Sequence, residues 1–456
     1  MKRSAWRYLW TAQDVRRKLL ITIAILAIYR FVSHVPVPGA NPDAIAAILG
    51  AGGGAGNFLG ILDLLSGGTV SNFSVLAMGV YPYITAQIIL QLLVPIVPAL
   101  QKRMEEDPRE GQKWMEKWTY ILAVPMAALN AIGQINIFNS LAAQIPGAGL
   151  VVENFGLLSK SSWLYSWTIV ISMTAGTMFA IWLGELISEF GIRNQGLSLI
   201  IFSGIVARIP STILRLWADV QTRWISLVFM LGITVLIIIA IVIVQQGRRN
   251  IPVMYPGRRV GSRMSMPVKG TLPLMVNMAG MIPLIFGQAL LSFPAIAASY
   301  FVNSQVPWIA NTATKIAQMF GGTSGFYYLF YFLMVVFFSF FYTDVLFAQQ
   351  NYGENLKKVG AQIPGVSRGA PTQKYLTKVL RRITLPGALF LGIVAVLPYV
   401  LSQLLGAFGI GLGAQSTVML INSAGLLIVV GVVRDTFFTI DAELRLHGYD
   451  DTLLVR

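Results

Sequence analysis

Asp63, Glu185 and Asp344 are the carboxylates that fall at membrane depth in this chain, beside or within long apolar runs. Acids so placed carry protons or ions in coupled transporters. At a span end the same residues act as interfacial or capping carboxylates, and each of the three lies within reach of such an end. Imidazole is confined to His34 and His447, far apart in the chain, and cysteine is absent. These facts exclude disulfides, thiolate nucleophiles, Cys-ligated metals and an H-E-x-x-H zinc site. "GAGGGAG" (50–56) lacks the lysine and following helix of a phosphate loop, and "GGTSG" (321–325) lacks the spacing of a nucleophile elbow. No catalytic set can be assembled, so the expectation is a non-enzyme with no cofactor. Whatever the protein moves must be driven from outside.

The elements that hold these residues are set by hydropathy. Of 456 residues, 55% are hydrophobic and 12% charged, and the mean hydropathy is +0.67, outside the range of soluble enzymes. Runs such as "WISLVFMLGITVLIIIAIVIV" and "FYYLFYFLMVVFFSFFY" approach or exceed the roughly 17–20 residues that cross a hydrocarbon core. The alternating ten-residue segments of a transmembrane barrel are not visible. An all-α, polytopic membrane protein follows, with about ten spans at 19–35, 73–97, 119–138, 163–186, 196–217, 224–246, 272–294, 325–347, 384–404 and 416–433.

Charge sets the orientation. Of the 34 Lys and Arg, only Arg30, Lys160, Arg208, Arg215, Arg223 and Lys315 fall within spans or on the far side. This bias places both termini in the cytoplasm. The basic segment "WRYLWTAQDVRRKLL" before the first run is read as retained, because the A-x-A-like site at 44–46 lies beyond the turn "HVPVPGANP". Five spans per half put the halves in opposite orientations, the arrangement of inverted repeats about a midplane pathway.

Three features remain. The cytoplasmic loops at 247–271 and 348–383 are strongly basic, which suits either positive-inside lipid attraction or, given their length and turn residues, docking to an anionic partner. Asn277 and Gln288 interrupt "LPLMVNMAGMIPLIFGQALLSFP"; they read as static interhelical hydrogen bonds or as part of a face that separates and recloses. "LGILDLLSGG" is too short to span. Gly67-Gly68 breaks it, and Asn72 or Ser74 is placed to cap the helix that follows. Irregular backbone at membrane depth must be buried in protein or line an aqueous cavity, so this stretch reads as re-entrant.

With these residues in view, the chain resembles the SecY family of protein-conducting channels along essentially its whole length. The resemblance is carried by "YRFVSHVPVPG", "SGGTVSNFSVLAMGVYPYITAQIILQLL", "IIFSGIVARIP", "LPLMVNMAGMIPLIFGQALLSFP" and "FYTDVLF" followed by "ENLKKVGAQIPG", in order and correctly spaced. It implies an hourglass of ten helices in two inverted halves, 19–217 and 218–433, between a cytoplasmic N-terminus (1–18) and tail (434–456). A plug at about 58–68 would include Leu62, Asp63, Leu64, Leu65, Gly67 and Gly68, with Asp63 either a funnel carboxylate or a contact holding the plug shut. Val80, Ile84, Ile201, Ile205, Ile285 and Ile428 would form the pore ring. Gln87, Gln91, Asn277 and Gln288 would line a lateral gate between the second and seventh spans, with the Asn277 hydrogen bond helping to close the seam.

The same resemblance implies SecE and SecG as companion subunits, and the SecA motor or the ribosome, through its ribosomal RNA, on the basic loops. Signal peptides and preproteins would be the substrates, and the bacterial inner membrane, with its lipids, the location. The implied contacts are Arg248, Arg249, Arg258, Arg259, Arg263, Ser367, Arg368 and Lys374. The family pattern PGxRPG reads "PGVSRG" here, with Ser367 at the usual arginine position and Arg368 one later. A secondary transporter of a small solute is the alternative from another class; scarce intramembrane acids and long basic loops count against it.

Overall fold

The structure is a computed structural model that describes residues 13–50, 73–142, 149–153, 155–156, 163–218, 223–256, 259–260, 263–264, 268–299, 301, 306–320, 324–350, 352–407 and 423–446. Helices dominate it. In chain order they are α1 (Gln13–Val32), α2 (Pro42–Gly50), α3 (Tyr81–Ile96), α4 (Pro98–Glu106), α5 (Pro108–Ala142), α6 (Trp163–Phe190), α7 (Gly196–Ala218) and α8 (Arg223–Gln246). After a strand-bearing segment come α9 (Ile282–Ser299), α10 (Pro307–Phe320), α11 (Gly325–Gln350), α12 (Tyr352–Lys358), α13 (Ala370–Ala407) and α14 (Ser423–Leu446). By length and apolarity, the segments Arg109–Asn139, Trp163–Phe190, Gly325–Lys358 and Ala370–Leu401 can each cross a membrane, and the bent pair α3–α4 makes a fifth if counted as one.

α6 shows how sequence becomes packing. Gly176, Ala180 and Gly184 recur every four residues and are buried, so one face of the helix is nearly smooth. A Cβ at Gly176 would run into the Val75 carbonyl, and one at Gly184 would meet Leu197 of α7 at 2.8 Å. Small residues at this spacing let backbones approach closely where lipid offers no hydrophobic drive. Trp163, Leu164, Ile171 and Trp182 occupy the outer face, exposed as lipid contact requires.

The structure differs from the sequence reading at helix boundaries and in the loops. The second span does not run as a helix from residue 73. Residues 73–80 form successive tight turns, with Gly79 at φ 51°, and α3 starts at Tyr81. Pro82 in its first turn suits a helix start, since the missing N–H is unpaired there anyway. Ser74 does not cap it but bridges Pro36, and Val80 at the N-cap makes no side-chain bond. The same span then bends by 95° at Val97, between Pro95 and Pro98.

The loop at 247–271 is not turn alone. It contains strand β1 (Arg248–Tyr255) antiparallel to β4 (Val268–Met275), with a short pair β2 (Arg259–Val260) and β3 (Arg263–Met264) between them. Ile251 and Val253 are buried while their neighbours are exposed, and Leu274 is buried between exposed Pro273 and Met275: the period of two expected of a half-buried ribbon. Because β4 takes residues 268–275, the helix expected from 272 begins at Ile282. The segment at 348–383 likewise holds regular structure, α12 and the first turns of α13.

Candidate functional site: an aliphatic junction beneath a basic platform

Four helices bring the six aliphatic candidates to one region. Val80 sits at the start of α3 and Ile84 one turn on; Ile201 and Ile205 are one turn apart on α7; Ile285 is in the first turn of α9 and Ile428 near the start of α14. Val80, Ile201 and Ile428 are buried in a single cluster, and half-buried Ile84 and Ile205 pack against it. Ile285 belongs to an adjoining cluster with Tyr81, Ile88 and Phe286. Ile84 touches both clusters and joins them.

Met281 packs against these two clusters and a third, at the meeting point of α3, α9 and α11, and sequence reasoning missed it. Its signal was weak: a thioether beside Gly280 and Pro283 in a run with many aliphatics. A flexible, polarizable side chain suits an irregular junction of this kind.

The polar candidates divide. Asn277 and Gln288 are buried, and Gln87 and Gln91 on α3 are half-buried. The Asn277 amide donates to the Gly280 carbonyl at 3.1 Å, within its own turn. Gly280 has φ 62°, so this side chain braces a left-handed turn leading into α9. α9, which carries Gln288, packs on α10, α11 and α5 and also touches α3; Asn277 lies in the segment before it.

Two of the three acids fall among the described residues. Asp344 on α11 accepts from Arg381 on α13 in a two-pronged ion pair, closest at 2.8 Å, and Glu185 lies on the exposed face of α6. His34 is exposed, with Nδ1 2.7 Å from the Arg30 carbonyl oxygen. Asp63 lies outside the described residues, as do Leu62, Leu64, Leu65, Gly67, Gly68 and His447.

The basic loops converge. Ile251 and Val253 of β1 and Leu274 of β4 share one buried cluster with Leu356, Ile363, Leu376 and Leu380 from α12, α13 and the turn between them. Arg248, Arg249, Ser367, Arg368 and Lys374 are exposed around it. Arg259 and Arg263 lie on β2 and β3, and Arg258 is outside the described residues. The "PGVSRG" turn is fixed by Gly365 and Gly369 at positive φ and by Thr372 Oγ1, which donates to the Ser367 carbonyl at 2.7 Å.

A family model described as SecY matches residues 74–437. The protein translocase subunit SecY of Chlamydia trachomatis is 35% identical over 98% of this chain and 97% of that protein, and its counterpart in Aquifex aeolicus is 37% identical over 97% of each. Among solved structures, one described as a protein conducting channel superposes with a TM-score of 0.62 at 17% identity, covering 96% of this chain and 95% of that one. Another, of a SecY protein whose plug domain stabilises the closed state of its translocation channel, gives the same TM-score and the same coverage of both chains at 18% identity. These last two matches show a shared fold. Family model and relatives together span nearly the whole sequence, and the chain belongs to the SecY family.

Proposed function

We propose that this protein is the channel through which unfolded polypeptides cross a membrane, and from which apolar segments pass sideways into lipid. The observation that carries this reading is the convergence of Val80, Ile84, Ile201, Ile205, Ile285 and Ile428, from four helices far apart in sequence, on one aliphatic junction. Aliphatic walls make no specific hydrogen bonds, so the same constriction accommodates many sequences. When nothing occupies it, a hydrophobic constriction excludes water and with it ions.

Opening requires the helices around the junction to part. The seam between α3 and α9 is the proposed lateral gate, lined by Gln87, Gln91, Asn277 and Gln288. A segment rich in Leu, Ile, Phe or Val leaves through it because insertion into lipid is favourable, whereas Asp, Lys and Arg hold a segment in the aqueous path. Residues 58–68 are the proposed plug. The ten-span topology, in halves 19–217 and 218–433, rests on the apolar runs and the family resemblance, and the cytoplasmic placement of both termini on the charge bias. The bacterial inner membrane is the proposed location.

No phosphate loop is visible in the sequence, so energy is supplied by a partner. SecA or the ribosome docks on the exposed arginines of the platform, and SecE and SecG complete the complex. Reconstitution into proteoliposomes with SecE and SecA tests this: ATP-dependent protection of a preprotein from added protease is expected. Uptake of a small solute down a gradient with no partner present would contradict it.

A further inference from the structure

Between Lys269 and Asp344 the sequence carries one charged residue, Lys315, in the middle of α10. Among the described residues no carboxylate pairs with it. α10 itself is firmly held. It packs along α9 with Ala313 buried, and the Phe320 ring at its end meets Phe326 and Phe330 of α11 edge-on, at centroid separations of 6.2 and 6.3 Å.

The other side of the helix is a stripe. Trp308, Thr312, Lys315 and Met319 follow the spacing of one helix face, and all four are exposed, Trp308 by 70%. Half-buried Ile309 and Ile316 flank the stripe on one side, exposed Asn311 and Gln318 on the other. Thr312 Oγ1 donates to the Trp308 carbonyl at 2.7 Å, so this hydroxyl is not left as an open donor. Exposed apolar bulk, one cation and a polar flank are what a helix at a membrane–water boundary presents, with Trp at headgroup level and Lys extended to the polar layer. The apolar surface continues on both neighbours: Leu290 and Phe293 near the end of α9 and Leu329 near the start of α11 are exposed as well.

We propose that α10 lies in the interface of the outer leaflet, with Trp308 and Met319 at the acyl-chain boundary and the Lys315 ammonium on lipid phosphates. Because α10 packs along α9, this anchor holds the outer end of α9 at the membrane surface. The choice of leaflet rests on the proposed topology, which puts the connection from α9 to α10 on the side away from the cytoplasm; the interfacial placement is tested by itself.

The chain has no cysteine, so a fluorophore can be attached at Trp308→Cys, Met319→Cys, Asn311→Cys or Gln318→Cys, one at a time. The full chain with SecE and SecG is reconstituted in vesicles of phosphatidylethanolamine and phosphatidylglycerol. Two quenchers are compared: phosphatidylcholine spin-labelled high on its acyl chain, and iodide present on both sides of the bilayer. The lipid quencher is expected to act several-fold more strongly at 308 and 319 than at 311 and 318, and iodide in the reverse order. Equal iodide quenching at all four positions would mean that the stripe faces water. Protection of 308 and 319 from both quenchers would mean that a protein covers it; either result overturns the proposal.

Lys315→Glu, combined with the label at 308, is expected to raise iodide quenching several-fold, and an unchanged ratio would remove the phosphates as partners. A label at Ala297→Cys near the end of α9 is expected to shift with it; if it does not, α10 does not hold α9. These readouts need no transport. Failure of the translocation reading shows instead as an unsubstituted complex that protects no preprotein.

Discussion

The Val276 N–H donates to the Gly247 carbonyl at 2.8 Å, while the Val276 carbonyl faces Gly387 of α13 so closely that a Cβ there would meet the oxygen at 2.5 Å. One residue thereby ties the end of α8, the segment before α9 and the middle of α13 into a joint between platform and bundle.

Gly387→Val tests that joint. The obstacle is backbone rather than a flexible side chain, so the structure must shift; overpacking of this kind typically costs about 1–3 kcal/mol. Thermal unfolding of the purified protein in detergent is expected to show a lowered Tm. An unchanged Tm would mean that α13 and residue 276 are not in contact.

Gly280 separates strain from crowding. A side chain there meets nothing within 4 Å, so the penalty of Gly280→Ala is conformational, of order 1–2 kcal/mol for an L-residue in the left-handed region. Asn tolerates that region better than Ala. Gly280→Asn is therefore expected to recover much of the loss in the same unfolding measurement. Equal loss in both variants would point away from a left-handed turn.

These two positions also show what the sequence does and does not disclose. Helix existence was legible because apolar runs longer than about 17 residues have few other uses. Helix starts were not, since Gly79, Pro82 and Gly280 act through φ and missing donors, which a hydropathy reading does not register. The β1–β4 ribbon was legible in principle from the alternation of Ile251, Val253, Leu272 and Leu274, but prolines and glycines in the same segment read as turns. An isoleucine of the junction looks like any other in a membrane helix, so that set came from the family resemblance alone. Met281 lies within the quoted motif of residues 272–294 but has no role assigned by that resemblance, and packing reveals it.

Polar substitution at the junction is expected to make the resting channel leak. Ile428→Asn or Ile285→Asn places an amide in the constriction and lets water and ions wet it. Single-channel or vesicle-swelling measurements should show a several-fold rise in ion conductance without substrate. Conductance equal to that of the unsubstituted protein would remove these residues from the ring.

On the platform, charge removal should separate coupling from folding. Arg368 is exposed and carries no visible packing role, so Ser367→Ala with Arg368→Ala is expected to weaken motor-dependent translocation while Tm stays unchanged. The same outcome is expected of Arg258→Ala with Arg259→Ala. Because contacts between exposed charges are screened by salt, the unsubstituted complex should also lose coupling as ionic strength rises. A lowered Tm would make these residues structural.

The central claim is that a polypeptide passes through the aliphatic junction. In the cysteine-free chain, Ile201→Cys, Ile428→Cys and, as a lipid-facing control, Val228→Cys, which is 70% exposed on α8, can each be paired with a preprotein stalled in transit and carrying one cysteine. The account predicts disulfide adducts at Ile201→Cys and Ile428→Cys that require ATP and the motor, with none at Val228→Cys. No adduct at the junction in a complex that translocates, or adducts of equal yield at all three positions, would contradict it.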